Sequence, residues 1–182
     1  MVFSQKENEI WNETDTISTD NYEFQIPTVW QNLDYTLGGK KGPEQAFDAT
    51  GQGLPKYYNG GPVLVSAFLA KSDYSYLQEA NKPKFRNYYS FTSEEYKLES
   101  DVVERTFILK DNTKAVLIKT RRYLKSDRLN ESRYDLITYS EKLEIAYVFS
   151  VTFRYFDDTY EFESIYDLNG YVEKLYATFK WK

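Results

Sequence analysis

The chain has 182 residues, a net charge of −5 and a pI near 5.0, and it contains neither histidine nor cysteine. Serine–histidine and cysteine–histidine nucleophiles, thiolate metal sites and imidazole proton shuttles are therefore all excluded. The acidic balance argues against duplex nucleic acid as a partner. Its 18 tyrosines, 12 phenylalanines and 3 tryptophans are instead enough aromatic surface to build a core from 41% hydrophobic content.

A length of this order predicts one domain. Residues 4–21 are Ser, Gln, Lys, Glu, Asn, Thr and Asp apart from Ile10, Trp11 and Ile17. Such composition buries too little surface to order itself, so 1–20 is expected to be a flexible polar tether, with 21–182 the folded domain. No run approaches 18 apolar residues, which leaves a lipid anchor ahead of the tether as the only expected membrane attachment. Met1 is either a natural cytosolic start or an addition to a mature, exported domain.

Tyr22 to Ile26 alternates apolar and polar residues and predicts a strand ended by Pro27; a second is expected over Asn32 to Leu37. Gly38 to Gly42 is a turn cluster, without the spacing of a phosphate-binding loop. From there to Pro62 the glycines and prolines predict a long irregular loop, and long loops in compact domains are often functional. Val63 to Leu69 is a continuous apolar run, the pattern of a buried central strand. Short helices are expected over Tyr74 to Asn81 and from Ser93, each behind a capping residue.

Long strands follow. Val102 to Leu109 and Lys114 to Leu124 flank the turn signal Asp111–Asn112, and Arg133 to Ser140 is a third. Leu143 to Phe156 carries Tyr147, Phe149, Val151, Phe153 and Tyr155 on one face, which predicts that it lies beneath a helix. Ile165, Leu168, Val172, Leu175, Tyr176 and Phe179 form one stripe at helical spacing, with Asp158 and Glu161 as a capping box and Gly170 as a weak point.

Three charged or aromatic groupings are candidates for chemistry. Asp157, Asp158, Glu161 and Glu163 are the densest acidic cluster; they lack the spacing of a calcium loop and suit a helix start, where carboxylates meet free N–H groups. The basic residues from Lys114 to Arg133 have only Asp127 and Glu131 against them in sequence and read as a solvated strand edge that resists aggregation, or as an anion patch. Trp30, Tyr57 and Tyr58 border the long loop and are the candidate partner-binding surface, since a rigid sheet fixes the ends of a loop that adapts.

Several of these pieces resemble the PsbP/Mog1-like family. The resemblance lies in Phe24-Gln25-Ile26-Pro27 followed by Trp30, in Asn59-Gly60-Gly61-Pro62 before the apolar strand, and in a closing Thr178-Phe179, and it spans about residues 21–182. It implies an α+β fold, a mainly antiparallel sheet of about six strands with helices packed on its faces. Characterised relatives are mostly non-enzymatic: photosystem assembly subunits, a small-GTPase-binding protein, chaperones of secreted effectors and bacterial lipoproteins. With the missing histidine and cysteine, it implies a non-catalytic binding or scaffolding domain without a cofactor, its partner another protein, on a lipid-anchored bacterial surface protein. Two alternatives stay open: a small-ligand binder or carboxylate-dependent enzyme with a pocket between helix and sheet, and a cytoplasmic inhibitor or immunity-type protein.

Overall fold

A computed structural model describes residues 9–33, 36–37, 40–41, 43–72, 96–124, 129–157 and 159–182. The helices expected over 74–81 and from 93 lie outside these residues.

The frame is a seven-stranded sheet in which every neighbouring pair is antiparallel. From one edge to the other it runs β10 (Tyr96–Ile108), β11 (Lys114–Leu124), β12 (Leu129–Ser140), β13 (Ile145–Phe156), β9 (Leu64–Ser72), β6 (Gln45–Asp48) and β3 (Gln31–Asn32). A second, three-stranded sheet joins β1 (Thr14–Ser18), β2 (Tyr22–Pro27) and β14 (Lys180–Trp181). It covers one end of a single face of the main sheet, and two helices, α1 (Glu161–Ile165) and α2 (Leu168–Tyr176), cover the rest of the core on that face. Two ribbons of two strands complete the description, β4 (Thr36–Leu37) with β5 (Lys40–Lys41) and β7 (Tyr57–Tyr58) with β8 (Gly61–Pro62).

The alternation in β13 is what organises the core. Tyr147, Phe149, Val151, Phe153 and Tyr155 are all buried on one face, but four different elements cover them. Tyr22 of β2 and Trp181 of β14 pack on Tyr147, with ring centroids at 4.9 and 5.6 Å. Tyr176 and Tyr171 of α2 pack on Phe149 and Phe153 at 5.4 and 5.7 Å. Phe162 of α1 stacks on Tyr155 at 4.6 Å. The expected helix therefore covers only the middle of the aromatic face. Tyr176 is wholly buried, and its hydroxyl bonds the carbonyls of Tyr134 and Phe149 at 2.8 and 2.7 Å, so this core ring leaves no polar atom unpaired.

Several sequence expectations are corrected. Half of the supposed tether is structured: β1 pairs along its whole length with β2, and Ile10, Trp11 and Ile17 pack against the core. Polar residues suffice there because a paired strand draws its hydrogen bonds from the backbone, whatever its side chains. The expected strand over 32–37 is two short pieces in different sheets, β3 and β4. The expected loop up to Pro62 contains β6, whose Ala46 and Phe47 are buried, and the β7–β8 hairpin. Strands of two to four residues are too short to show a period. β9 is an interior strand, but of the run Val63 to Leu69 only Val63, Val65, Ala67 and Leu69 are buried while Leu64 is exposed; an apolar run alone does not tell one covered face from two. Leu143 sits in the turn before β13, which starts at Ile145.

The helical stripe is broken as well. The break falls at Asp167, at φ 41° and ψ 56°, whose carboxylate accepts from the Gly170 N–H at 3.2 Å and so caps α2. Ile165 is left exposed, and Phe179 lies beyond the helix, stacked on Tyr22 and Phe24 at 5.7 and 6.1 Å. Gly170 is not the break. It is the residue that the cap requires, since an added Cβ would stand 2.2 Å from Asp167 Oδ2.

Candidate binding sites

The aromatic site residues expected from sequence do not come together. Trp30 is buried: it stacks on Tyr171 at 6.3 Å and packs on Trp11 and Phe47 at 6.3 and 6.1 Å. It is a core residue and does not border a surface. Tyr58 is half-buried on Phe162 and Tyr166 at 4.9 and 6.2 Å. Tyr57 is 72% exposed.

The pair differ because they lie on a strand, where neighbours point to opposite faces. Tyr57 is across from Pro62 and Tyr58 from Gly61. Asn59 and Gly60 close the hairpin at φ 48° and 83°, the positive values that a two-residue Asn-Gly turn supplies. Gly61 is forced by packing: a Cβ there would stand 2.0 Å from the Phe156 ring. The hairpin is thus seated through Gly61 and Tyr58 and presents Tyr57 outward. The Asn-Gly pair was the sequence signal for this hairpin. Leu64, just beyond it, and Ile165, at the end of the helix beneath Tyr58, are also exposed apolar residues.

Within the acidic cluster Asp158 lies outside the described residues, and Asp157 and Glu163 take different roles. Asp157 is the capping residue: one oxygen accepts from the Thr159 N–H and hydroxyl, both at 2.9 Å, and the other from the Phe162 N–H at 3.2 Å. The position before α1, Tyr160, makes no side-chain cap bond. Glu163 instead turns into the sheet and is 5% exposed. It accepts from Lys119 Nζ at 2.5 Å, from Arg121 Nε at 3.1 Å and Nη2 at 2.6 Å, from the Ser132 hydroxyl, and from the Tyr155 hydroxyl at 3.3 Å. Burial pushes its pKa up, but the hydrogen bonds from Arg121, Lys119 and Ser132 outweigh it and hold the carboxyl below its ordinary value of 4.5. A carboxylate held ionised by this many donors is a fixed counter-ion and is poorly suited to proton transfer.

The basic stretch is therefore not a solvated edge. β11 is an interior strand, with β10 outside it. Lys119 and Arg121 meet Glu163 on the helix face, while Arg122 lies 3.7 Å from Glu131 on the other. Arg133 binds Asp135, wholly buried, at 2.9 Å. Asp135 stands just two residues past Arg133, whereas Glu163 is the anion that no local count could assign to this cluster.

Beside the ion cluster lies a cleft of about 240 Å³ lined by Arg105, Leu117, Lys119, Tyr134, Asn169 and Glu173. It lies where α2, packed over β12 and β13, reaches β10 through Tyr176 against Phe107 at 6.3 Å and through the Glu173–Arg105 pair. Arg105 and Glu173, each a little over two-fifths exposed, pair across its mouth. Lys119 Nζ lies 5.2 Å from the centre of the Tyr134 ring.

No family model and no curated protein sequence matches the chain. Solved structures do. The crystal structure of LpqN, involved in cell envelope biogenesis of Mycobacterium tuberculosis, matches with a TM-score of 0.51 and 12% identity, over 96% of this chain and 95% of that one. The fold is Mog1/PsbP-like. A mutant of the protein Mog1 matches with a TM-score of 0.50 and 7% identity, over 92% and 95% of the two chains. Saccharomyces cerevisiae Ran-binding protein Mog1p matches at 0.48 and 8% identity over the same shares. At such identities the Mog1/PsbP-like likeness concerns the backbone, and the site chemistry has to be read from this chain. Among the described residues no helix is long and apolar enough to cross a membrane.

Proposed function

We propose that this is a non-catalytic domain that binds another protein through the face of the β7–β8 hairpin, displayed at the surface of a bacterium by a lipid anchor. The observation that carries the reading is Tyr57: a large aromatic ring, 72% exposed, on a hairpin that Tyr58 and Gly61 seat on the core. Tyrosine binds partners well because it offers much contact area for little lost rotamer freedom, and a seated hairpin adds little further ordering cost. The clamped Glu163 and the absence of histidine and cysteine favour binding over catalysis. The shared fold with a protein of cell envelope biogenesis supports the surface location.

A photo-crosslinking amino acid in place of Tyr57 is expected to give one discrete adduct in cells that make the protein. The same group in place of Glu141, exposed in the turn at the far end of β13, is expected to give none. Tyr57→Ala should abolish the interaction while shifting stability by less than about 0.5 kcal/mol, as for other exposed positions. Equal adducts at both positions, or binding that survives Tyr57→Ala, would overturn the reading. The anchor has its own check: the native protein should incorporate an alkynyl fatty acid, and a protein that takes up no label is not lipid-anchored.

A further inference from the structure

The cleft between α2 and the β10–β11 edge carries chemistry that neither the hairpin reading nor the packing of the core uses. Tyr134 is 1% exposed, and its hydroxyl has no hydrogen-bond partner. Buried hydroxyls without partners are uncommon, and each costs the desolvation of the group. The ring is held from several sides: it sits under Lys119, packs edge-on against Phe153 at 5.8 Å, and its backbone carbonyl accepts from Tyr176. A phenylalanine would satisfy all of these contacts. The hydroxyl is the part that the fold does not need.

The rest of the lining points to an anion. Arg105 and Glu173 face each other at the mouth, and behind them Lys119 shares the single carboxylate of Glu163 with Arg121, so the cleft and the cluster behind it together keep a net positive charge. Arg105 now holds a carboxylate, that of Glu173, in an exposed ion pair of the kind that contributes little and exchanges readily. A carboxylate from solution can take its place, while Glu173 turns into water. Leu117, 4% exposed, supplies an apolar wall. At about 240 Å³ the space is smaller than the clefts that hold drug-sized molecules, so its occupant is small.

We infer that the cleft binds a small organic carboxylate, its anionic group between Arg105 and the Tyr134 hydroxyl and its apolar body against Leu117, with Glu173 as the internal competitor that it displaces. This site is independent of the hairpin, and either can fail without the other.

Benzoate is the probe, with benzamide as its neutral counterpart, and binding is read from backbone amide shifts in NMR titrations of the full chain. Benzoate should shift the amides of residues 105, 117, 119, 134 and 173 in a saturable way, and benzamide should not. Tyr134→Phe should weaken benzoate by about tenfold, the size of one hydrogen bond to a charged group, and leave the melting temperature unchanged or higher because an unpaired buried hydroxyl is gone. Glu173→Gln, which removes the competitor, should tighten benzoate. Arg105→Gln should weaken it. The proposal is overturned if benzoate leaves these amides unmoved, if benzamide binds equally, if Tyr134→Phe or Arg105→Gln does not weaken binding, or if Glu173→Gln fails to strengthen it. A Tyr134→Phe protein that melts lower would mean that the hydroxyl already has a structural partner, such as a fixed water, and would also overturn it.

Discussion

Val172→Asp is expected to leave the chain without a cooperative unfolding transition. Val172 is wholly buried on α2, in the helix that covers the middle of the main sheet. Tyr171, beside it, packs on Trp30 and Phe153, and Tyr176, a turn further on, packs on Phe149 and Phe107, so α2 has little freedom to roll. An aspartate there must either lose its charge or drag water into the core, at a cost of several kcal/mol. Domains are stable by only about 5–15 kcal/mol, so one such substitution consumes much of the margin. Val172→Ala, which removes two methyl groups, should cost about 2 kcal/mol and keep a sharp transition. Thermal unfolding followed by circular dichroism separates the two. A sigmoidal transition in Val172→Asp close to that of the parent would show that α2 is not part of the cooperative core.

Glu163→Gln is expected to lower stability by about 3 kcal/mol, because Lys119 and Arg121 then remain as largely buried cations without their anion. For a chain of this length that corresponds to a fall in melting temperature of roughly 6–12 °C. The contrast is Glu173→Gln, which breaks an exposed pair and should cost less than about 1 kcal/mol. The acid limb of the stability curve carries a second signature. The folded pKa of Glu163 lies below 4.5, so its carboxylate contributes fully above the unfolded value and that contribution is lost as pH falls from about 4.5 through the depressed folded value. Glu163→Gln should flatten this part of the curve. A melting temperature unchanged by the substitution, with the same acid limb, would mean that the ion cluster is an incidental contact.

These two residues show where local sequence is informative. Val172 was legible as core because helical spacing is a local property, and its burial follows from a pattern within a dozen residues. Glu163 looked like one of several carboxylates at a helix start. Apart from Tyr155, its partners come from β11 and β12, more than 30 residues earlier, and only the pairing of those strands brings Lys119, Arg121 and Ser132 beneath α1. The capping role fell to its neighbour Asp157. In the same way Tyr57 and Tyr58 were equivalent in sequence. The hairpin turn at Asn59–Gly60 and the Phe162 ring decided which of the two is seated and which is presented. Trp30, singled out for its proximity to the loop, is held inside by Trp11, a residue from the segment expected to be a tether.

By itself, then, the sequence determined the chemistry that this protein lacks, the long strands from Val102 to Phe156, and the aromatic face of β13. Composition and short-range period are properties of the chain alone, and strong periods over a dozen residues leave little choice of face. The tertiary structure decided the seventh strand, the cover of the core by a second sheet as well as helices, the burial of Glu163 and the cleft at Tyr134. Each of these depends on contacts between residues far apart in the chain, whose energies exceed the local preferences of two to five residues, and local patterns carry no record of such contacts.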